Sequence, residues 1–600
     1  MNIVLKHIIE LKTVKDDCVF IGHEYKNFIK VKNSSKVNLI DLSSFIKNEQ
    51  DKNQDLMIKF IDDLKREKKQ SIHFQMSHLA NKNNRASSFF DIVIQLEALR
   101  TFLLKNRLQS SKITIVCEDS FILQSIYQLS EFDTKRNFFY RTCFFYDWSK
   151  LIIRAGFYFH RQIYRMFKRY IASLVTKKNT TKNLPKESIY LIHQCLDDSA
   201  FLNSNKIYCR YFLDLPDFLS KKGKKVFRIP WLYNNQIPFI RIYRSLRKHN
   251  FLIPEDFLKP KDYLKVFADS FKSILSIPLG NYKFDNIDLN NLLLRERLIF
   301  SGTSFNQIEF WKVYRALPAW TRKLTKVSLI DVFEMDNPER FLSFFFKNHF
   351  EGNSYHLGYY HSLLSKDYLA CNLSSDDINS STFPDVLVTS GELGRNYFIN
   401  QGVSRAKVKS GPAIRQNFTE KVATKQRGDY VSIILPLDQN ASIEILDKVF
   451  MHHNFFLEKE IKILIKQHPM ANFKRMMKKI NWNDLPVNCF LHEGDMMSLV
   501  RKTRCFIVLD SAAIFDILMY GSPVLSLARS LGPNWNNADI LENKFKFLQS
   551  IKSEKIPQRI SCFYQNNSAN YIKDYEKISM VLKKGLNMPN KLNMSNFIFP

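Results

Sequence analysis

Residues 431–527 alternate strand and helix patterns without interruption, and this limits the fold more than any other feature of the chain. The runs at 431–435, 461–465, 489–492, 505–509 and 524–527 are apolar enough for buried strands. The patterns at 442–450, 497–503 and 514–520 between them are helical, with Ser442 placed to cap the first. Strands joined through helices must cross over the sheet, so they lie parallel with helices on both faces. In such sheets the ligand crevice lies beyond the carboxyl ends of the strands, where free N–H groups of a helix start favour anions. Two of these ends carry polar groups, Lys466-Gln467-His468-Pro469 and Asp510-Ser511-Ala512-Ala513. They put a histidine and a hydroxyl where the phosphates of a nucleotide would sit.

Three further regions precede this one. Residues 1–136 mix strand-like runs (18–21, 113–117) with helical patterns such as 91–104 and read as an accessory α/β domain with a structural or docking role. Residues 137–182 are the most basic stretch. At 100° per residue Lys150, Arg154, Arg161, Arg165 and Lys168 share one narrow sector, while Ile152, Ala155, Phe159, Ile163, Met166, Phe167, Tyr170 and Leu174 gather opposite. Such a helix suits the headgroup layer of an anionic membrane, with its cations on lipid phosphates. The plainer alternative is a helix packed on its own protein with a solvated basic face. Residues 183–425 begin a second alternation at 188–192, with later strands at 226–229, 327–333, 356–359 and 385–389 and helical stretches such as 262–275. A polar linker at 424–429 leads into the last unit, 426–600.

A chain of 600 residues exceeds what one core usually supports, so two or three domains are expected. Its 89 Lys and Arg against 58 Asp and Glu give a net charge of +31, which calls for a polyanionic neighbour. No helix-turn-helix, zinc-finger or RNP-type pattern accompanies the charge, so an acidic membrane surface is preferred to nucleic acid. The 9 cysteines are scattered with no C-x-x-C pair, which favours neither a zinc site nor a disulfide framework and fits a reducing cytosol. The opening residues are broken by Lys6, His7 and Glu10, and no charge-free run approaches the roughly 20 residues of a spanning helix. A cytoplasmic protein is expected.

Two strand ends within 183–425 carry groups able to do chemistry. Glu334 follows Val332-Phe333, and a carboxylate at a strand's carboxyl end, facing a cleft, is placed to take a proton from an attacking hydroxyl. The competing roles are capping the helix near Pro338 or pairing with Arg340. His361 follows Gly358-Tyr359-Tyr360 and is either hydrogen-bonded in place or a contact to an anionic group of donor or acceptor.

The order of His468-Pro469, Glu493-Gly494-Asp495, the Ser511 strand end and Gly521-x-Pro523-Val524 resembles the donor domain of a two-Rossmann GT-B glycosyltransferase. More narrowly, the run from Phe333-Glu334 through Gly358-Tyr359-Tyr360-His361-Ser362 to Pro384-Asp385 is similar to bacterial surface-carbohydrate (O-antigen and capsule) biosynthesis proteins. The resemblance extends from Glu187 to the C-terminus. It implies an α/β fold of GT-B type, with an acceptor domain at 183–425 and a donor domain at 426–600. In similar enzymes that release CMP (sialyl-, polysialyl- and Kdo-transferases) the histidine meets the donor phosphate and the serine binds it through hydroxyl and backbone N–H. His468 and Ser511 stand at those positions, with Pro469 beside the first.

The family's carboxylate five residues after the serine grips the ribose hydroxyls. Asp516 stands there, with a shorter reach than the glutamate of many relatives. Ala512 replaces a second hydroxyl, which shifts the phosphate grip towards backbone groups. Analogy adds Asp438, Asn440, Glu493 and Gly494 near the donor. No resident cofactor or metal is implied, in keeping with the lack of an Asp-x-Asp motif. The expectation is a metal-independent glycosyltransferase, peripheral at the inner face of the cytoplasmic membrane. It would move a sugar from a nucleotide-sugar, a CMP-linked sugar acid for preference, to a lipid-linked or oligosaccharide acceptor of lipopolysaccharide or capsule. The segment 510–516 also resembles that of CDP-glycerol polyol-phosphate transferases, and a non-catalytic membrane scaffold is the reading from a different class.

Overall fold

The computed structural model describes residues 2–585 except 15–16, 35–36, 69–70, 107–111, 130, 133, 136–139, 177–186, 202–205, 233–235, 304, 351, 362–366, 415–427, 469–472, 474–475, 478–484, 510, 533–547 and 565–567. Pro469 and Asp510 lie outside the described residues, as does most of the expected linker. The fold is α/β, built on three parallel sheets.

The first sheet contains β1 (Asn2–His7), β2 (Asp17–Ile21), β3 (Asn38–Leu39), β4 (Lys112–Cys117) and β5 (Thr134–Lys135), in the order β3-β2-β4-β1-β5. The second contains β6 (Ile189–Leu196), β7 (Val226–Leu232), β10 (Val327–Val332), β11 (Ser354–Tyr360), β12 (Val386–Ser390) and β13 (Val408–Gly411), in the order β13-β12-β11-β10-β6-β7. A two-stranded hairpin, β8 (Lys283–Phe284) with β9 (Ile287–Asp288), lies between β7 and β10 in the chain. The third sheet contains β14 (Tyr430–Ile434), β15 (Ile463–Lys466), β16 (Cys489–Leu491), β17 (Thr503–Val508) and β18 (Val524–Ser526), in the order β16-β15-β14-β17-β18.

The last two sheets are doubly wound. The chain reverses its direction of travel between β6 and β10 in one, and between β14 and β17 in the other, where Ile433 pairs with Ile507. Two Rossmann-like units of this kind make the GT-B arrangement expected from the sequence.

The aliphatic runs are central strands because nothing in them needs water: every residue of β10 and β12 is buried. Gly358 in β11 is required by packing, since a Cβ there would stand 2.6 Å from that of Phe333. At the helix of residues Gln439–Phe450 the cap is Asp438, which accepts from the amides of Asn440 and Ala441 at 3.2 and 3.1 Å. Ser442 instead donates to the carbonyl of Pro436 at 2.9 Å, so the helix begins three residues earlier than the sequence pattern placed it. Propensity favours Asp and Ser alike as caps, and the tertiary position of Pro436 decides between them.

The N-terminal unit packs against both others. Val14, Phe20, Tyr25 and Val31 share a core with Val431, Ala441 and Leu446 of the last unit, and the Tyr25 hydroxyl donates to Asp447 at 3.0 Å. On its other side the loop after the helix Ile72–Gln75 is tied to the middle unit. Lys82, fully buried, donates to Asp377 and to the carbonyl of Asn372. Asn83 donates to Asp336 at 3.1 Å, and Asn84 to the carbonyl of Asp367 at 3.0 Å.

The basic segment is one helix, Tyr140–Thr176. The expected apolar set does not share one environment: Met166 is buried, Ala155 and Tyr170 are half-buried, and Ile152, Phe159, Ile163, Phe167 and Leu174 are exposed. Arg169 is buried and fixes the helix to the middle unit. Its Nε lies 3.1 Å from Glu255 and 3.0 Å from the Tyr243 hydroxyl, its Nη1 lies 2.6 Å from Glu309, and Lys312 completes the group at 2.6 Å from Glu255.

Candidate functional site

The two reversal points open onto one cleft of about 830 Å³. From the middle sheet it receives His193 and Cys195 at the end of β6, and Val332 and Glu334 at the end of β10. From the last sheet it receives Ile434 to Leu437 after β14, Lys466 to His468 after β15, and Ser511 to Ala513 with Asp516 after β17. Each group is a strand end because the crossover helices leave only that edge open for a ligand.

On the last sheet, His468, Ser511, Ala512 and Asp516 therefore face the same space. The Ser511 hydroxyl accepts from the amide of Ala513 at 3.3 Å, leaving its own proton for a ligand oxygen. Lys466, two residues before His468, also lines the cleft, a place its charge alone did not mark in the sequence. Its ammonium donates to the carbonyl of Gly494 at 2.5 Å, and burial lowers its pKa.

The turn at Glu493 and Gly494 stands behind this wall, not in it. Glu493 is exposed and neither residue lines the cleft. A Cβ at Gly494 would meet the Ser498 hydroxyl at 2.5 Å and His492 at 2.8 Å, so the glycine is explained by packing. Asp438 and Asn440 are likewise absent from the cleft wall, and Asp438 is taken up by its capping bonds and by Arg529 at 3.9 Å. The sequence could not separate these from the wall residues because all follow strand ends in the same order.

On the middle sheet, Glu334 takes neither competing role. Glu339 makes the helix-entry bonds instead, accepting from the amides of Glu334 and Asp336 at 3.0 and 2.8 Å, and Arg340 pairs with Asp377 at 3.1 Å. Burial, with Asp336, Asp331 and Glu334 nearby, pushes the Glu339 carboxyl well above its usual range. Between Glu334 and Asp336, Met335 has φ 64°, an uncommon value for a non-glycine residue, and its side chain is buried. That turn leaves the Glu334 side chain partly exposed at the cleft, with its carboxylate 3.3 Å from His361 Nε2. His361 is buried behind it, edge-on to Tyr211 at 4.6 Å. The imidazole is thus within reach of the carboxylate at the cleft wall.

The cleft also takes side chains from the two regions expected to stand apart from it. Arg161 and Arg165 of the long helix line it, so these two cations of the expected membrane sector face the cleft. Arg165 is half-buried, donates to the carbonyl of Leu232 at 3.2 Å and lies over the Phe239 ring at 5.5 Å. Lys150, Arg154 and Lys168 are exposed, with Arg154 over Tyr158 and Lys168 over Tyr164. Arg85 reaches the cleft from the N-terminal unit on the anchored loop, stacked 4.7 Å from the Tyr368 ring, and Arg210, paired with Asp197, completes the arginines. Nothing in the polar run 81–85 is periodic, so no sequence signal marked it.

No group of metal-ligating side chains occurs among the described residues. No family model matches the sequence, and no curated protein matches it. Among solved structures the chain is similar to a UDP-GlcNAc 2-epimerase from Neisseria meningitidis bound to UDP-GlcNAc (11% identity, 68% of this chain and 97% of that one, TM-score 0.36). It is also similar to that of Methanocaldococcus jannaschii in complex with UDP-GlcNAc and UDP (12%, 66% and 100%, TM-score 0.36). The third is the glycotransferase of kitacinnamycin (8%, 67% and 97%, TM-score 0.34). Likeness this distant carries no argument about substrates. The class, an α/β protein with two Rossmann-like units of GT-B type around a shared cleft, rests on the strand orders and the cleft itself.

Proposed function

We propose that the chain is a glycosyltransferase moving a sugar from a nucleotide-activated donor to an acceptor hydroxyl. The observation that carries this reading is the meeting of Glu334, from one reversal point, with His468 and Ser511, from the other, on the walls of one cleft. In the proposed reaction the bond between the anomeric carbon and the nucleotide's phosphate oxygen breaks, and its electron pair stays on the phosphate. The acceptor oxygen bonds to that carbon and gives its proton to Glu334. Lys466, His468 and the Ser511 hydroxyl offset the charge gathering on the departing phosphate, a term of the kind that dominates such transfers. Asp516 is assigned to the ribose. The donor is proposed to be a CMP-linked sugar acid and the acceptor a lipid-linked surface glycan.

We place the protein against an anionic bilayer. The support is the outer face of the long helix, where Ile153, Phe157, Tyr164, Phe167 and Val175 are exposed, next to Leu264, Phe271 and Leu275 of the helix Pro260–Ser276. The two helices touch through Phe159 and Phe267 at 5.5 Å, and Lys150, Lys168, Lys261, Lys265 and Lys272 are exposed on the same helices. Apolar surface of this extent marks an interaction site, and its cations suit lipid phosphates. Among the described residues no helix is long and apolar enough to cross a membrane.

Calorimetry with CMP, CDP, UDP and GDP tests the donor half. One nucleotide should bind, and His468→Ala with Ser511→Ala should weaken it at least tenfold. Binding of none of them, or binding indifferent to both substitutions, refutes the reading and leaves a scaffold. Preference for CDP, with glycerol phosphate transferred, replaces it by a polyol-phosphate transferase.

A further inference from the structure

The acceptor half of the cleft is lined, beside the carboxyl groups of Glu334, Asp336 and Glu339, by guanidinium groups drawn from three separate parts of the chain. Arg85 comes from the N-terminal unit, Arg161 and Arg165 from the long helix, and Arg210 from the middle unit. We infer that they form a subsite for a phosphate-bearing acceptor, an inference that rests on the transferase reading above.

Three observations point to an anion there. First, Arg161, Arg165 and Arg169 follow one another at single-turn spacing, an arrangement of like charges that destabilises a helix unless it is balanced. Glu255 and Glu309 balance Arg169, whereas Arg161 makes no ion pair among the described residues. Second, three of the four arginines are held in place before any ligand arrives. Arg85 stacks on Tyr368, on a loop fixed through Lys82, Asn83 and Asn84; Arg165 is anchored to the carbonyl of Leu232; Arg210 is anchored to Asp197. Holding guanidinium groups rigid costs little on binding and gives affinity for a matching anion. Third, all four are arginine, whose planar fork matches phosphate oxygens in pairs, and one carboxylate would need a single fork.

Inorganic pyrophosphate, titrated calorimetrically into the full chain, distinguishes the two halves. Wild type should bind it at two sites. His468→Ala with Ser511→Ala should remove one, and Arg85→Gln with Arg161→Gln should remove the other, weakening it about tenfold or more per arginine. Arg161 is exposed, so Arg161→Gln alone serves as a variant with no folding penalty. Two sites that survive the arginine substitutions overturn the inference, as does a single site abolished by His468→Ala. A single site abolished only by the arginine substitutions removes the donor reading and leaves the anion subsite standing. On the His468→Ala, Ser511→Ala background, farnesyl diphosphate should bind in an Arg161-dependent way. If N-acetylneuraminic acid does so and the diphosphate does not, the ligand class is a carboxylate and the inference fails.

Discussion

Replacing Arg169 by Met should unseat the long helix, and the structure sets the size of the effect. The buried group is neutral as built: Arg169 and Lys312 face Glu255 and Glu309, with the two glutamates 2.6 Å from Lys312 (Glu255) and Arg169 (Glu309). Met fills much of the volume but leaves two carboxylates facing one ammonium, with the half-buried Arg165 acting on Glu309 from one turn away. An uncompensated buried charge of this kind costs about 3–5 kcal/mol. Tyr243→Phe removes only the hydroxyl that Arg169 Nε reaches at 3.0 Å and should cost about 1 kcal/mol. Adding Glu309→Gln to Arg169→Met restores neutrality while keeping the Lys312–Glu255 pair, so the double variant should be more stable than the single one.

The pH dependence follows from the same charges. Burial raises Glu255 and Glu309, but Lys312 and Arg169 outweigh it and hold both below the usual carboxylate range. In wild type their contribution is complete above the ordinary carboxylate pKa and is lost as pH falls through the lowered folded values. Without Arg169 the carboxylates titrate higher, so the penalty should be larger at pH 8 than at pH 5. Urea unfolding followed by tryptophan fluorescence reports on this region, since Trp311 and Trp320 are buried in the adjoining core. A loss below about 1 kcal/mol for Arg169→Met, or a double variant no better than the single, refutes the reasoning.

Two further outcomes are expected. Glu334→Gln should lower transfer by about 10²–10⁴-fold while nucleotide binding by calorimetry is unchanged, and turnover within a few-fold of wild type would remove it as the base. Phe157→Ser with Phe167→Ser and Phe271→Ser should abolish co-flotation with phosphatidylglycerol vesicles, whereas Arg161→Gln, which faces the cleft, should not. Flotation that persists without the aromatics would rule out the proposed face.

Strand and helix in 431–527, the second alternation from β6, and a doubly wound class for both are written in the local apolar periodicity, because burial on both faces of a parallel strand demands a continuous apolar run. The strand-end positions of His468, Ser511 and Glu334 are legible for the same reason, and Asp516 lies in the helix that follows Ser511. Capping by Asp438 in place of Ser442, and the placement of Glu493 behind the wall instead of in it, depend on neighbours that a linear pattern does not contain. The helix of residues Tyr140–Thr176 shows the division most clearly. Its amphipathic character follows from spacing alone, but which sector faces solvent is set by the buried Arg169–Glu255–Glu309–Lys312 group. That group turns Arg161 and Arg165 into the cleft and the aromatic residues outward. Arg85 is the furthest from sequence reach, because its place in the cleft depends on a loop anchored to Asp336, Asp367 and Asp377, some 250 to 300 residues further along the chain. Local periodicity records which residues avoid water; only the folded chain decides which of the remaining polar groups meet.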